Sequence, residues 1–500
     1  MSLFSSLWVC FFILCKQVVT HTITDEIDVV VFLPQNDTYL FSYARVAPAI
    51  RYAQMKLKTT GAPYSDLHFN IHFENSNCVN DAVFNLVDRS CEKKPDLILG
   101  PVCEYEAAPV VRLASHWNIP VISAGALATS FSNKTTEYSH LTRIAPSYVK
   151  MAETFSAMFR HLAWKTAVLL YEDDKEEQNC YFTVEGIYLM TDLSMKTYAL
   201  SHEVPLDTDD IIQSIYDTQV VILCMDANKI REIMLAAHRR RLTSGTHMFF
   251  NIELFNASSY GNGSWWRGDK FDNEARQAYA YLNTVTLLRT VKPEFENFSM
   301  EIKAARESMG LHNCKDCESV NMFVEGFHDA LLLYAIALKE AMKSGYSKKN
   351  GLEITSRMRN RTFEGIAGQV SMDDNGDRNG DFSLMAMTNV NAGTYEVVAN
   401  YFGLNKSFQL LPAFNYDHFT LQGIQITHTE ISDKSCGLGM SALTGVIVGA
   451  LLGTAMLTAF YFFRKNYRIT IERRAHSEAC NTRKHRHLRE DSIRSNLSAA

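Results

Sequence analysis

The stretch Leu443–Phe463, LTGVIVGALLGTAMLTAFYFF, carries no charged residue and is followed at once by Arg464, Lys465 and Arg468. A helix of about 20 apolar residues matches the roughly 30 Å hydrocarbon core of a bilayer, so the stretch reads as one membrane-spanning segment. That element partitions the rest of the chain. Its basic flank places the C-terminal side in the cytoplasm. Residues 464–500 are too few for a folded catalytic domain, which takes about 100 residues. The apolar run Leu7–Leu14 is too short to span and reads as the core of a secretory signal peptide. The expected plan is signal peptide 1–20, extracellular region 21–426, stalk 427–442, span 443–463 and cytoplasmic tail 464–500, which is a single-pass type I protein of the plasma membrane.

Other features sort along the same boundary. Asn-X-Ser/Thr acceptors for glycosylation stand at Asn36, Asn133, Asn256, Asn262, Asn297, Asn360 and Asn405, all on the outer side. Outer cysteines at 78, 91, 103, 180, 224, 314, 317 and 436 face an oxidising compartment, and sequence alone leaves their connectivity open. The tail is strongly basic, whereas the chain as a whole carries −6. The outer region is therefore markedly acidic, which suits either solubility or the capture of a cationic ligand.

Between the signal peptide and the stalk, short β-rich runs alternate with amphipathic helices. Ile27–Leu33 reads as a buried strand, a helix is expected over Arg45–Lys58, and Leu67–Phe73 alternates as a strand. The rhythm continues with a helix at Asn80–Cys91, strand Asp96–Leu99, helix Ala107–Trp117, helix Tyr148–Leu162, strand Ala167–Tyr171, helix Cys180–Asp192, strand Val220–Cys224 and helix Asn228–Arg241. Such alternation implies βαβ units and parallel sheets. About 400 residues exceed one hydrophobic core, so two lobes are expected. The fold class is α/β, a two-lobed ectodomain like the type I periplasmic binding proteins, with ligand in the cleft outside the carboxyl ends of the strands.

No catalytic signature survives inspection: there is no HExxH, no nucleophile elbow and no cysteine–histidine set with zinc spacing. Asp373–Asp381 imitates a calcium loop. Aligned on Gly380, however, its twelfth position is Ala386 where a bidentate Glu is needed, so a β-hairpin turn is expected instead. The protein is read as a non-enzyme without a metal. Gly100-Pro101-Val102-Cys103 is either an anion-holding strand-to-helix turn or simply a tight disulfide-bonded one. Gly445, Gly449 and Gly453 line one face of the span, and Cys436 lies just outside it; together they favour a homodimer with an interchain disulfide. Lys484–Arg489 is either a headgroup-bound basic cluster or a short contact for a heterotrimeric G protein.

Several segments resemble the natriuretic peptide receptors: DLILGPVCEY (96–105), NCYFTVEG (179–186), FFNIELFN (249–256), RGDK (267–270), NMFVEGFHDALLLY (321–334) and NRTFEGIAGQVSMD (360–373). The span and tail resemble those of the clearance (type C) receptors or the related type D receptors of fish. The resemblance implies a homodimer that binds one ring-shaped natriuretic peptide between two membrane-distal clefts and clears it by internalisation. It also implies coupling to an inhibitory G protein through His485, Arg486 and Arg489. A second reading is a decoy or heterodimer subunit that restrains cyclase-bearing relatives.

The same resemblance implies disulfides Cys78–Cys103 and Cys180–Cys224. It further implies a chloride ion on the Ser76 hydroxyl and the amides of Val102 and Cys103. Peptide contacts carry over to Tyr105, Arg112, Trp117, Glu137, Tyr138, Tyr181, Phe182, Val184, Glu185, Glu253 and Phe255. Aromatics in that set suit an apolar ring residue, and the three glutamates suit peptide arginines. Cys91, Cys314 and Cys317 are extra to the family pattern.

Overall fold

The computed structural model describes residues 26–59, 64–173, 179–190, 194–201, 203–254, 263–288, 293–311, 320–415, 419, 456–459, 461–462 and 465. The signal peptide, the stalk, nearly all of the tail, and Phe255, Asn256, Asn262, Cys314, Cys317, Cys436, His485, Arg486 and Arg489 lie outside them. Of the span, residues 456–459 and 461–462 are described, and they are helical. Among the described residues no helix is long and apolar enough to cross a membrane.

The first lobe is built on β1 (Glu26–Leu33), β2 (His68–Asn75), β3 (Leu97–Leu99), β4 (Val121–Ser123) and β5 (Leu141–Pro146), all parallel in the order β2-β1-β3-β4-β5. The second lobe repeats that topology. Strands β6 (Thr166–Asp173), β7 (Ser194–Ser201), β8 (Val220–Cys224), β9 (Met248–Glu253) and β10 (Leu282–Leu287) pair in parallel as β7-β6-β8-β9-β10. A small hairpin follows, β11 (Thr362–Glu364) with β12 (Gln369–Ser371), and then β13 (Asp377–Arg378) joins β5. Strands β14 (Phe382–Asn389), β15 (Thr394–Phe402) and β16 (Ser407–Leu410) extend the second sheet in antiparallel fashion from β10. The expected two-lobed α/β architecture is the one observed.

Helices on both faces explain why the central strands are apolar throughout rather than alternating. In β1, Val29, Val31 and Leu33 enter one core while Val30 and Phe32 enter the opposite one, all fully buried. Strand β8 divides likewise, with Ile222 on one side and Val221 and Leu223 on the other. Each such side chain contributes roughly 1.5–3 kcal/mol when withdrawn from water.

The chain passes between lobes three times: at Ser147 after β5, after Leu288 beyond β10, and at Asn379–Asp381 between β13 and β14. One helix starts earlier than the periodicity indicated, running Glu104–His116 with Pro109 inside it. Burial of Ala107, Val110, Val111 and Ala114 outweighs the backbone bond that the proline forfeits. Strand β5 escaped the reading because Arg143 interrupts its apolar run.

The Asp373–Asp381 segment is a turn, as expected, with Met372 bridged to Arg378 and Gly376 at φ +76°. It is not a free-standing hairpin, however, because Asp377 and Arg378 continue the first sheet alongside β5. The cause is electrostatic. Arg143, fully buried, grips the Asp377 carboxylate with two nitrogens at 2.7 Å and donates to the carbonyls of Ala126 and Ala128. Lys134 reaches the same carboxylate at 2.5 Å. Burial alone would raise the Asp377 pKa, but the Arg143 and Lys134 cations outweigh it and hold the carboxyl well below the usual range.

A group depressed in this way stabilises the fold above its ordinary pKa, and that contribution is lost as pH falls through the folded-state value. Substitution Asp377→Asn strands two buried cations and is expected to cost about 3–5 kcal/mol. Denaturant unfolding of the purified full chain measures it; a cost below about 1 kcal/mol would contradict this reading.

Candidate ligand-binding surface

At the carboxyl end of β3 the chain turns through Gly100 (φ +80°), where an added Cβ would lie 2.8 Å from the Phe32 carbonyl oxygen. The turn is fixed from the neighbouring loop: Ser123 Oγ donates to the Pro101 carbonyl at 2.6 Å, and the Ala126 amide donates to that of Val102 at 2.9 Å. Gly125 packs so closely that a Cβ there would fall 2.2 Å from the Val102 carbonyl. Cys103 then opens the helix Glu104–His116 and is bonded to Cys78, with Cα atoms 5.3 Å apart. Among the described residues no acceptor takes the amides of Val102 and Cys103, and both residues are buried. Two adjacent amides at a helix start suit an anion. Ser76, the third residue implied, is buried but donates its hydroxyl to Glu106. The Glu106 carboxylate also accepts from the amides of Cys78 (3.1 Å) and Ala82 (2.7 Å).

The implied peptide contacts form three groups. The first is an aromatic seam across the lobe boundary. Tyr105 of the first lobe meets Phe182 of the second with ring centroids 5.8 Å apart, Phe182 meets Tyr181 at 5.3 Å, and Tyr181 meets Tyr171 at 6.2 Å. Tyr105 and Tyr181 remain 52% and 39% exposed. Phe182 is half-buried, and Val184 on the same helix is buried.

That helix, Asn179–Met190, is anchored by the disulfide Cys180–Cys224 to β8 and by Gly186 against Tyr148, where a Cβ would lie 3.0 Å from the tyrosine Cβ. Thr129 in the first lobe donates to Glu185 in the second at 2.9 Å.

The second group is Arg112 with Glu137, bonded at 2.7 and 2.9 Å and both half exposed, over the ring of buried Tyr138. An exposed pair of this kind is worth about 0.2–1 kcal/mol, so Glu137 is readily exchanged onto a ligand cation. The third group is dispersed. Trp117 is half-buried under the Lys94 ammonium, and Glu253 lines a separate pocket with Thr286, Leu287 and Ser383.

Sequence reasoning missed Glu106, although its position four and eight residues before Val110 and Ala114 put it on the buried stripe of the helix. It also missed Thr129 and Glu104. The Glu104 carboxyl is enclosed and accepts from the amides of Leu127 (3.0 Å) and Ala128 (3.2 Å), the segment leading to Thr129. Burial pushes its pKa up to about 7 against those two bonds and Arg143. A raised carboxyl stabilises most below its unfolded pKa of about 4.5, and that contribution is lost as pH rises through about 7. Glu104→Gln is neutral throughout, so its Tm relative to wild type should climb between pH 5 and 7.5. A constant difference over that range would contradict the assignment.

Five glycosylation acceptors are described, Asn36, Asn133, Asn297, Asn360 and Asn405, and all five are exposed.

Two parallel-sheet lobes joined by three crossovers, with an open aromatic seam across their boundary, define a ligand-binding region of the receptor type. Residues 45–390 match the receptor family ligand binding region. The chain is 56% identical to atrial natriuretic peptide receptor 3 of Rattus norvegicus over 493 residues, which is 95% of this chain and 91% of that one. Identity to the Homo sapiens protein of the same name is 55% over the same shares. Atrial natriuretic peptide receptor 2 of Homo sapiens is 32% identical over 394 residues, 75% of this chain but 37% of that one. The chain belongs to the natriuretic peptide receptor family, as a homologue of its clearance-type members.

Proposed function

We propose that the protein is a dimeric cell-surface receptor that binds a natriuretic peptide and removes it by internalisation, with no catalysis of its own. The aromatic seam carries this reading. Tyr105, Phe182 and Tyr181 present rigid apolar faces from both lobes at once, while Glu185, bonded to Thr129, and Glu137, bonded to Arg112, offer carboxylates that suit ligand cations. An acidic outer region suits a basic peptide.

Dimer formation draws support from the helix Asp81–Glu92, on which Phe84 and Val87 are 61% and 42% exposed one turn apart. Val79 just before it is 58% exposed. The glycine face of the span and Cys436 agree with such pairing. Chloride would be held by the Val102 and Cys103 amides, with the Ser76 hydroxyl turning to it from Glu106. The ion would supply fixed negative charge at the start of the helix that bears Tyr105. The basic tail segment containing His485, Arg486 and Arg489 is assigned to an inhibitory G protein.

Binding of a labelled ring peptide to cells expressing the full chain tests the reading, with saturable nanomolar affinity expected and no rise in cyclic GMP. Its central variants are Tyr105→Ala and Tyr181→Ala, each expected to weaken binding roughly tenfold or more with Tm unchanged, as truncation of an interface anchor does. No saturable binding by the wild-type chain would overturn the proposal. Replacing chloride by gluconate should lower affinity, and Ser76→Ala should blunt that dependence; equal affinity in both salts would remove the ion from the account.

A further inference from the structure

The hydrogen bond from Thr129 to Glu185 crosses between the lobes, and the support of neither lobe depends on it. Thr129 begins the short 3-10 turn Thr129–Ser132 of the first lobe, and Glu185 lies midway along the second-lobe helix Asn179–Met190. The loop before Thr129 is held without its side chain. The Leu127 and Ala128 amides donate to Glu104, and the Ala126 and Ala128 carbonyls accept from Arg143. The Leu127 carbonyl also accepts from the Tyr148 amide at 3.1 Å. On the other side, the Cys180–Cys224 disulfide and Gly186 against Tyr148 hold the helix that bears Glu185. What the Thr129 hydroxyl fixes is therefore a carboxylate.

The geometry suits that task. A β-branched side chain is stiff at χ1, so a threonine beside a pinned backbone presents its O–H in one direction. Donating to Oε2 at 2.9 Å, it favours the ionised carboxylate in one orientation, and among the described residues Oε1 has no partner. Glu185 stands four residues after Tyr181 and three after Phe182, so the oriented carboxylate and both aromatic rings share one helix face. We propose that Thr129 is a positioning residue for peptide recognition: its hydroxyl holds Glu185 across the lobe boundary, so that a ligand guanidinium meets a carboxylate already oriented. This rests on the reading of the seam as the peptide site. A free glutamate loses rotamer freedom when it is ordered by a ligand, and ordering it beforehand retains that part of the affinity. Donor and acceptor belong to different lobes, so Glu185 is oriented in the same arrangement that brings Tyr105 against Phe182.

The full chain on cells tests this with the labelled ring peptide and with analogues in which each arginine in turn is replaced by its neutral isostere citrulline. Thr129→Val is expected to weaken binding of the parent peptide roughly threefold to tenfold, the size of one hydrogen bond, with Tm unchanged. Thr129→Ser, which keeps the hydroxyl, should restore most of that affinity. The valine effect should shrink to less than about twofold for one citrulline analogue and in the Glu185→Gln background, as coupled groups require. A lobe latch indifferent to the ligand cation would weaken the parent and every analogue alike, and that result would overturn the proposal. Absence of saturable binding by the wild-type chain would overturn the seam reading and this inference with it, whereas wild-type binding unchanged by Thr129→Val would overturn this inference alone. Thr129→Ala carries the same expectations and decides the test if the valine disturbs the turn.

Discussion

The contact between Arg143 and Asp377 is the constraint on which the rest of the molecule depends. It closes a span of 234 residues in sequence, joining the last parallel strand of the first lobe to the segment that leads into the final crossover. Buried ion pairs seldom stabilise more than a well-packed apolar substitute, and their value lies in what they exclude. Here two buried cations require one carboxylate at one place. That requirement holds the Asp373–Arg378 turn against β5 and thereby sets where the chain re-enters the second sheet at β14. Arg143 also pins the carbonyls of Ala126 and Ala128, and the following residue, Thr129, reaches across to Glu185.

Positioning of the seam follows from the same framework. Tyr105 sits in the first turn of a helix whose start is held by a disulfide, by Gly125 packed on Val102, and by Glu106 drawing in the loop of Ser76 and Cys78. Phe182 and Tyr181 sit on a helix held by the second disulfide. Rigid supports of this kind reduce the ordering cost of binding, so more of the contact energy with a ligand is retained as affinity. The exposed Arg112–Glu137 pair contrasts with them, being cheap to break and therefore available for exchange.

Much of this was legible in the sequence because its signals are local. Apolar runs such as Ile27–Leu33 and Val220–Cys224 read as buried strands from their composition, and their separation by amphipathic helices implied parallel sheets. Resemblance to a known family brought Tyr105, Tyr181 and Phe182 together as candidate contacts, and the structure brings them together as neighbours across the lobe boundary. What stayed hidden is non-local. Arg143 interrupts the apolar run of β5, and the carboxylate that explains it, Asp377, lies 234 residues further on in a segment that reads only as a hairpin turn. Glu104 gave no hint that backbone amides from residues 127 and 128 enclose it. The topological repeat of the two lobes was equally invisible, since similar sheets arise here without a visible sequence repeat.

The central claim is that ligand docks on the seam and touches both lobes together. Photo-cross-linking tests it most directly: a ring peptide carrying a photoreactive phenylalanine is bound to the full-length protein, irradiated, and the adducts are mapped by mass spectrometry. The account predicts labelling within both helix 104–116 and helix 179–190, abolished by excess unlabelled peptide. Competable labelling confined to one lobe, or located away from both helices, would contradict it.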